Sequence, residues 1–203
     1  MADFLSNFRV PFFSASFAPT LASQGPGALQ YSALIVGQKT SAGSGLADAL
    51  YPVTSAGAVA ELAGRGSILH RQAIAWYASN NQTELWIGVL EDDGDGVAAA
   101  GTITVTGPAT VNGTIALYLG GARYTVGVTV GDTADTIASA INDVIALALD
   151  APITSTVLAA VVSTEFRNAG EVGNSFGIRH RFNDGESLPA GVDLTIVQTT
   201  GVT

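Results

Sequence analysis

Residues 113–130 read GTIALYLGGARYTVGVTV, and this stretch decides how the second half of the chain folds. Apolar residues alternate with small or polar ones on both sides of a glycine pair, which is typical of half-buried antiparallel strands. The apolar positions are Ile115, Leu117 and Leu119, then Tyr124, Val126, Val128 and Val130. Gly120 and Gly121 between them predict a tight turn. The stretch therefore predicts a β-hairpin.

A helix and further strands are predicted around this hairpin. Asp132 or Thr133 is expected to cap a helix that Pro152 closes off. Its apolar stripe repeats at three-to-four spacing and comprises Ile137, Ile141, Val144 and Ile145. Apolar runs predict the remaining strands, around Ile103 and Val105 and at 153–158, 161–166, 176–182 and 192–197. We therefore predict that residues 98–203 form a small α+β domain, with one helix on a mainly antiparallel sheet.

Upstream of this domain, strands and helices alternate in a way that is typical of an α/β unit. A strand at 31–36 is followed by two helices, one after Thr54 and one capped by Ser67. A second, buried strand is predicted at 83–90. The order predicts that the two strands lie side by side and parallel, joined by a right-handed crossover. Acidic and glycine residues at 91–96 then mark a domain boundary and a solvated hinge.

The first 30 residues are predicted to form an extended arm and linker, ahead of an α/β portion at 31–92. Pro11, Phe13 and Phe17 share one face of an alternating pattern, and a stretch rich in Gly, Pro and Ser follows. A lone strand with exposed phenylalanines is marginal in water. Two arrangements remain open: the arm folds back on its own domain, or it adds a strand to the sheet edge of another subunit.

The charge balance opposes two classes of partner. The chain has 8 basic and 17 acidic residues and a net charge of −9, which repels phosphate backbones and anionic lipids. No run approaches the roughly 20 apolar residues that span a bilayer. Without cysteine, the fold has neither disulfides nor thiolate metal sites. We therefore expect no nucleic acid and no membrane among the partners.

Residues 173–177, GNSFG, fit the pattern of a nucleophile elbow, in which Ser175 would be the nucleophile. That elbow needs a strand before the serine and a helix after it, followed by an acid and then a histidine. Ser175 instead enters a predicted strand, and His180 is the last histidine in the chain. We therefore predict no catalytic residue, although an esterase remains a third-ranked alternative.

Metal and cofactor sites have equally incomplete patterns. Glu91, Asp93 and Asp95 occupy ligand positions of a calcium loop, but the twelfth position is Thr102 in place of the bidentate glutamate. His70 is expected on the polar side of its helix, far from any cluster of ligands. No phosphate-binding loop or dinucleotide motif is present. We therefore predict no metal and no cofactor.

Several motifs, taken in order, resemble those of Mu-like contractile phage tail sheath proteins, and the match covers nearly the whole chain. The motifs are Arg9–Pro11, Gly37-Gln38, Thr83-Glu84-Leu85-Trp86, residues 113–121, Gly131-Asp132-Thr133, residues 167–174 and residues 188–192. No single motif is specific, but their order and spacing together are. The chain therefore resembles the N-terminal part of such a sheath protein.

The resemblance implies a structural subunit of the virion tail, assembled in the host cytoplasm. It implies a helical homo-oligomer around a tail tube protein, with baseplate and tail terminator proteins as further partners, which contracts to drive the tube into the host envelope. The domain at 98–203 is then expected to face outward. The inter-subunit linkage is expected from the arm, through Arg9, Val10, Pro11, Phe12, Phe13 and Phe17.

One departure from the family concerns length. Sheath proteins of this kind are about twice as long, so we expect the chain to be a fragment or part of a longer product. Two other functions stay open. One is the sheath of a related contractile injection system, of the pyocin or secretion type. The other is a secreted carbohydrate-binding or adhesion module, which the strand-rich and threonine-rich second half suggests.

Overall fold

Three α-helices and ten strands make up the regular structure of the described residues, which confirms the predicted mixed α and β class. The computed structural model describes residues 31–80, 82–92 and 94–202, so the predicted arm at 1–30 lies outside it. In chain order the elements are β1 (Ser32–Gln38), β2 (Ala49–Val53), α1 (Ala56–Ala63), α2 (Ile68–Ser79), β3 (Glu84–Leu90), β4 (Ala100–Thr106), β5 (Gly113–Leu119), β6 (Ala122–Val128), α3 (Ala134–Leu147), β7 (Ile153–Leu158), β8 (Val161–Phe166), β9 (Ile178–His180) and β10 (Asp193–Thr199).

The first sheet has the strand order β1-β3-β2. β1 and β3 run parallel, with Ala33 opposite Leu85 and Ile35 opposite Ile87, as the strand–helix–helix–strand order predicted. β2 pairs antiparallel to β3 and was not predicted. It has only five residues, and Pro52 among them lacks a backbone donor, which makes the segment resemble a loop in sequence and suits it to a sheet edge.

A serine or threonine hydroxyl caps the N-terminus of each of the three described helices. Ser55 caps α1 by accepting a hydrogen bond from the Ala58 amide at 3.2 Å, and Ser67 caps α2 by accepting from the His70 amide at 3.2 Å. Thr133 caps α3 in the same way. Each cap satisfies a backbone donor that has no partner within the helix. The predicted starts of α2 and α3 are thus confirmed at Ser67 and Thr133.

The second half contains two antiparallel sheets, so the prediction of a single sheet was wrong. One has the order β10-β4-β8-β7, and the other has the order β6-β5-β9. The apolar stripe of α3 contacts strands of both sheets and buries Ile137, Ile141 and Ile145 between them. Alternation along a strand identifies its buried face but not its neighbours, and for that reason the sequence did not separate the two sheets.

Residues with positive φ angles mark the turn of the β5–β6 hairpin and the end of β9, the strand beside it. Gly120 and Gly121 have positive φ angles of 57° and 87°, which confirms the predicted glycine turn. β9 is much shorter than the predicted strand at 176–182. A 3₁₀-helix at Glu171–Ser175 precedes it, and Arg181, with φ of 52°, ends it.

Each half of the chain has its own hydrophobic core, and the buried side chain of Asn168, in the second half, is hydrogen-bonded to groups of the first. Its amide nitrogen donates to the Lys39 carbonyl at 2.8 Å and to the Asp92 carboxylate at 3.2 Å. Its oxygen accepts from the amide of Ile68 at 3.1 Å, at the start of α2. One side chain thus joins the end of β1, the start of α2 and the acidic segment. The division into domains at 31–92 and 98–203 stays a prediction.

The Asp92 carboxylate also accepts from the Ala169 amide, with both of its oxygens at 3.2 Å. In the same segment, Glu91 forms an ion pair with Lys39 at 3.3 Å. These contacts hold the segment against the neighbouring loop. The expectation of a solvated hinge at 91–96 was therefore wrong for Asp92, whereas the Glu91 side chain remains 63% exposed.

His70 lies inside this junction, and its predicted place on the polar side of α2 was wrong. Its side chain is buried, and Nδ1 accepts a hydrogen bond from the Gly66 amide at 3.1 Å. Burial lowers the pKa of His70; the charge of Asp150 opposes this shift, and those of Arg65 and Arg71 add to it. Helical periodicity did not show this, because the acceptor role depends on the turn before the helix.

Replacing Asn168 with Ala is expected to lower the free energy of unfolding by about 2–4 kcal/mol, because three hydrogen bonds are lost and backbone groups at the junction are left unpaired. Urea denaturation of this chain measures the change. The matched control is Asn112→Ala, since Asn112 accepts one hydrogen bond from the Val130 amide at an exposed site. Its expected loss is about 1 kcal/mol or less. Equal losses in the two variants would contradict the role of Asn168 at the junction.

Acidification is expected to destabilise the fold through His70. Because the folded state lowers the pKa of His70, the unfolded state binds the proton more tightly, and the free energy of unfolding falls as the pH drops below about 6.5. Urea denaturation between about pH 7.5 and 5.5 measures this slope. Burial, aided by Arg181, also lowers the pKa of His180. His70→Gln should therefore reduce the slope of the free energy of unfolding against pH. Adding His180→Gln should reduce the slope further, to nearly zero. An unaltered slope in His70→Gln would show that protonation of His70 is not coupled to unfolding.

Candidate assembly surfaces

The first sheet has one covered face. α1 and α2 pack on it and share a core with Val53, Leu85, Ile87 and Val89. Gly37 permits a close approach of α2 to β1, because a Cβ at this position would lie 3.2 Å from the Leu69 Cα. This side of the sheet is therefore complete within the described residues.

The other side of the same sheet is apolar and uncovered in the part of the chain that the structure describes. Leu34, Val36, Leu50 and Leu90 point to it and remain 55%, 47%, 60% and 41% exposed. Adjacent positions in the strand register add Pro52 and Trp86. We call this surface the open face and define it by Leu34, Val36, Leu50, Pro52, Trp86 and Leu90.

The open face is continuous across all three strands. Gly88 lies at its centre, with Val36 on one side and Leu50 on the other. A Cβ at Gly88 would lie 3.1 Å from a Val36 methyl carbon and 3.4 Å from a Leu50 methyl carbon, so the two side chains converge over it. Contiguous apolar surface of this kind marks a contact site, and parallel strands normally have both faces covered. The open face is therefore a candidate assembly surface.

The sequence carries a signal for the open face. The strands SALIVGQ and ELWIGVL are apolar at consecutive positions instead of alternating ones. Such runs are typical of strands buried on both faces. They predict a second covering layer that the described residues do not supply.

The edges of this sheet differ in their capacity to accept another strand. β1 and β2 are the outer strands, and each has one edge without a partner among the described residues. Pro52 in β2 cannot donate to a neighbouring strand. β1 contains no proline, so its backbone donors and acceptors suit strand addition better.

The structure does not test the predicted arm contacts. Arg9, Val10, Pro11, Phe12, Phe13 and Phe17 all lie outside the described residues. Their role in linking subunits therefore stays a prediction.

The arrangement around Ser175 opposes a nucleophile elbow. Ser175 ends the 3₁₀-helix, and strand β9 follows it, which reverses the required order of strand and helix. Among the described residues, its hydroxyl makes no hydrogen bond to a histidine. His180 instead accepts a hydrogen bond on Nδ1 from Arg181 at 3.1 Å. In the described part of the chain, Ser175 is therefore not hydrogen-bonded to a histidine as a nucleophile elbow requires.

Ligand-like acids are likewise scattered or already bonded. Within 31–80, 82–92 and 94–202, no group of three or more His, Cys, Asp or Glu side chains has the geometry to hold a metal ion. Thr102, the twelfth position of the calcium-loop pattern, lies within β4. No helix of the described part is long and apolar enough to cross a membrane.

Comparison with known proteins gives one informative match. No protein-family model matches the chain. The chain is 34% identical over 191 residues to the Mu-like prophage FluMu tail sheath protein of Haemophilus influenzae. The match covers 94% of this chain but only 39% of that protein, so the chain spans about two fifths of the relative's length. Nearly the whole chain is therefore similar to part of a Mu-like tail sheath protein, in agreement with the resemblance of its motifs.

Proposed function

We propose that the chain is part of the structural subunit of a Mu-like contractile tail sheath, a polymer that winds helically around the tail tube and shortens to drive the tube into the host envelope. The observation that carries the proposal is the 34% identity to a protein named as a tail sheath, sustained over 94% of the chain. The partners are further copies of the subunit, the tail tube, and the baseplate and tail terminator proteins. The protein is located in the virion tail, after assembly in the host cytoplasm.

A structural role agrees with the surfaces of the first sheet. A subunit that packs in a helical lattice needs extended contact surfaces more than a concave catalytic site. The open face supplies an apolar contact surface, and β1 supplies a strand edge. In this proposal the segment from Arg9 to Phe17 of one subunit adds to a sheet edge of its neighbour, and side chains of the open face meet a second layer of protein.

Contraction requires subunits to stay linked while each one rotates and shifts. Main-chain pairing between an arm and a neighbouring strand tolerates such motion, because it does not depend on particular side-chain contacts. The energy of contraction then comes from a difference in packing between the extended and the contracted lattices. Within the subunit, the domain at 98–203 faces outward, and any change in its orientation must disrupt the bonds of Asp92 to Asn168 and Ala169.

Removal of residues 1–20 from the complete gene product is expected to abolish the helical polymer without unfolding the subunit. The lost residues include the whole linkage from Arg9 to Phe17, whereas both described cores remain. Negative-stain electron microscopy measures tube formation, and circular dichroism measures folding. The full-length gene product is the control. Normal tubes from the shortened protein would refute the arm linkage, and absence of tubes from the full-length control would refute the sheath proposal.

The open face is expected to contribute to assembly but not to the stability of this chain. The double substitution Leu34→Gln and Leu50→Gln should change the free energy of unfolding by less than about 1 kcal/mol, because both side chains are more than half exposed. The same substitutions in the complete gene product should reduce the yield of tubes severalfold. Leu158→Gln is the matched control, since Leu158 is 83% exposed but lies at the end of β7 in another sheet. Equal tube yields from the wild type, the double variant and Leu158→Gln would show that the open face does not contribute to assembly.

A further inference from the structure

A groove of about 820 Å³ runs between α2 and the aromatic residues near β5 and β9. One wall is a single face of α2, formed by Ile68, Arg71, Gln72 and Ala75, which are spaced at i, i+3, i+4 and i+7. The last three of these are exposed, and the small side chain of Ala75 leaves the groove wide at that end. None of the proposed sheath contacts described above uses this surface.

The opposite wall is aromatic and held in place. Phe166 and Phe176 lie with ring centroids 5.8 Å apart, and Tyr118 and Phe182 lie 5.5 Å apart. The Tyr118 hydroxyl donates to the Glu186 carboxylate at 2.6 Å and accepts from the Asn183 amide at 2.7 Å. These bonds fix the Tyr118 ring at the base of the groove. Phe182 remains 60% exposed, so an apolar side chain of a partner has an aromatic surface to pack against.

The groove is positively charged, whereas the chain as a whole is negatively charged. Arg71 and Arg179 line it, whereas no Asp or Glu does. The guanidinium of Arg179 lies 5.8 Å from the centroid of the Phe182 ring. Among the described residues, neither arginine forms an ion pair with a carboxylate. Three other cations do so: Lys39 with Glu91, Arg65 with Asp150 and Arg123 with Glu186.

We propose that this groove is a binding site for a carboxylate-bearing, partly apolar segment of a second copy of the chain. The inference rests on the proposed function, because a helical sheath places many copies side by side. The guanidinium groups of the two arginines can each bind a carboxylate through paired hydrogen bonds. The aromatic wall is already in place and accepts an apolar side chain without reorganisation.

A second copy is the occupant that fits the charges. With 17 acidic against 8 basic residues, copies of this chain repel one another unless local cationic surfaces meet the excess carboxylates. The chain also presents exposed apolar side chains close to acids. For example, Leu147 is 80% exposed and lies one turn of α3 after Asp143, whose side chain is also exposed. A second copy therefore offers the chemistry that the groove selects.

The test is sedimentation velocity of this chain over a range of concentrations, at low and at high salt. The wild-type chain should self-associate, and salt should weaken the association because it screens the arginine contacts. The variant Arg71→Ala with Arg179→Ala should associate at least about tenfold more weakly, the loss expected when two charge-assisted hydrogen bonds disappear. Circular dichroism checks that the wild type, this groove variant and the control variant described next are folded.

The charge-matched control is Arg65→Ala with Arg181→Asn, which removes two positive charges outside the groove. Asn suits position 181 because the backbone there has φ of 52°. Association of the control should stay within about twofold of the wild type, since surface ion pairs such as Arg65–Asp150 contribute little. Equal weakening in control and groove variant, or no self-association of the wild type at about millimolar concentration, would overturn the inference.

Tube formation by the complete gene product separates this inference from the proposed function. Tubes from both the wild type and the groove variant, with unchanged association of the variant chain, would overturn the groove and leave the sheath in place. No tubes from the wild-type gene product would overturn the sheath, whatever the sedimentation of the chain shows. A benzophenone side chain at position 75 should cross-link to a second copy in assembled tubes; its capture of any other component would overturn the choice of occupant.

Discussion

The buried amide of Asn168 connects the two halves of the described chain. Its three hydrogen bonds reach the end of β1, the first residue of α2 and the acidic segment at Asp92. A buried amide is costly unless all of these partners are in place, so the bonds fix a unique arrangement of the two cores. His70 and Gly66 complete the same junction through a bond between the imidazole and a backbone amide.

Helix packing and this junction together determine which surfaces the described residues leave uncovered. α1 and α2 cover one side of the first sheet, so its apolar residues on the other side, such as Leu34 and Leu50, are left as the open face. The exposed side of α2 faces the aromatic wall of the second half, and the groove forms between them with Arg71 on its rim. The open face thus follows from packing within the first core, whereas the groove follows from how the two cores are joined.

Much of the fold was predictable because the deciding signals are local. The strands β1 and β3, the glycine turn at Gly120 and the caps at Ser67 and Thr133 follow from runs of fewer than about ten residues, and the parallel pairing of the two strands follows from the order of the elements between them. The failures have two causes. The pairing of β2 and the separation of two sheets in the second half depend on packing partners far away in sequence. The Ile68 amide, for example, pairs with a residue 100 positions later. The role of His70 depends on the turn at Gly66 just before α2, which helical periodicity does not describe.

The sequence by itself determined the mixed class of the fold, the positions of its helices and most of its strands, and the likeness to tail sheath proteins. Periodicity, capping and turn chemistry are properties of neighbouring residues, and the family motifs depend only on order and spacing. Only the tertiary structure decided that Arg71 and Arg179 line one groove and that Leu34 and Leu50 share one uncovered face. The physical reason is that a surface is what remains after the cores have packed, and packing brings together residues that no local pattern relates.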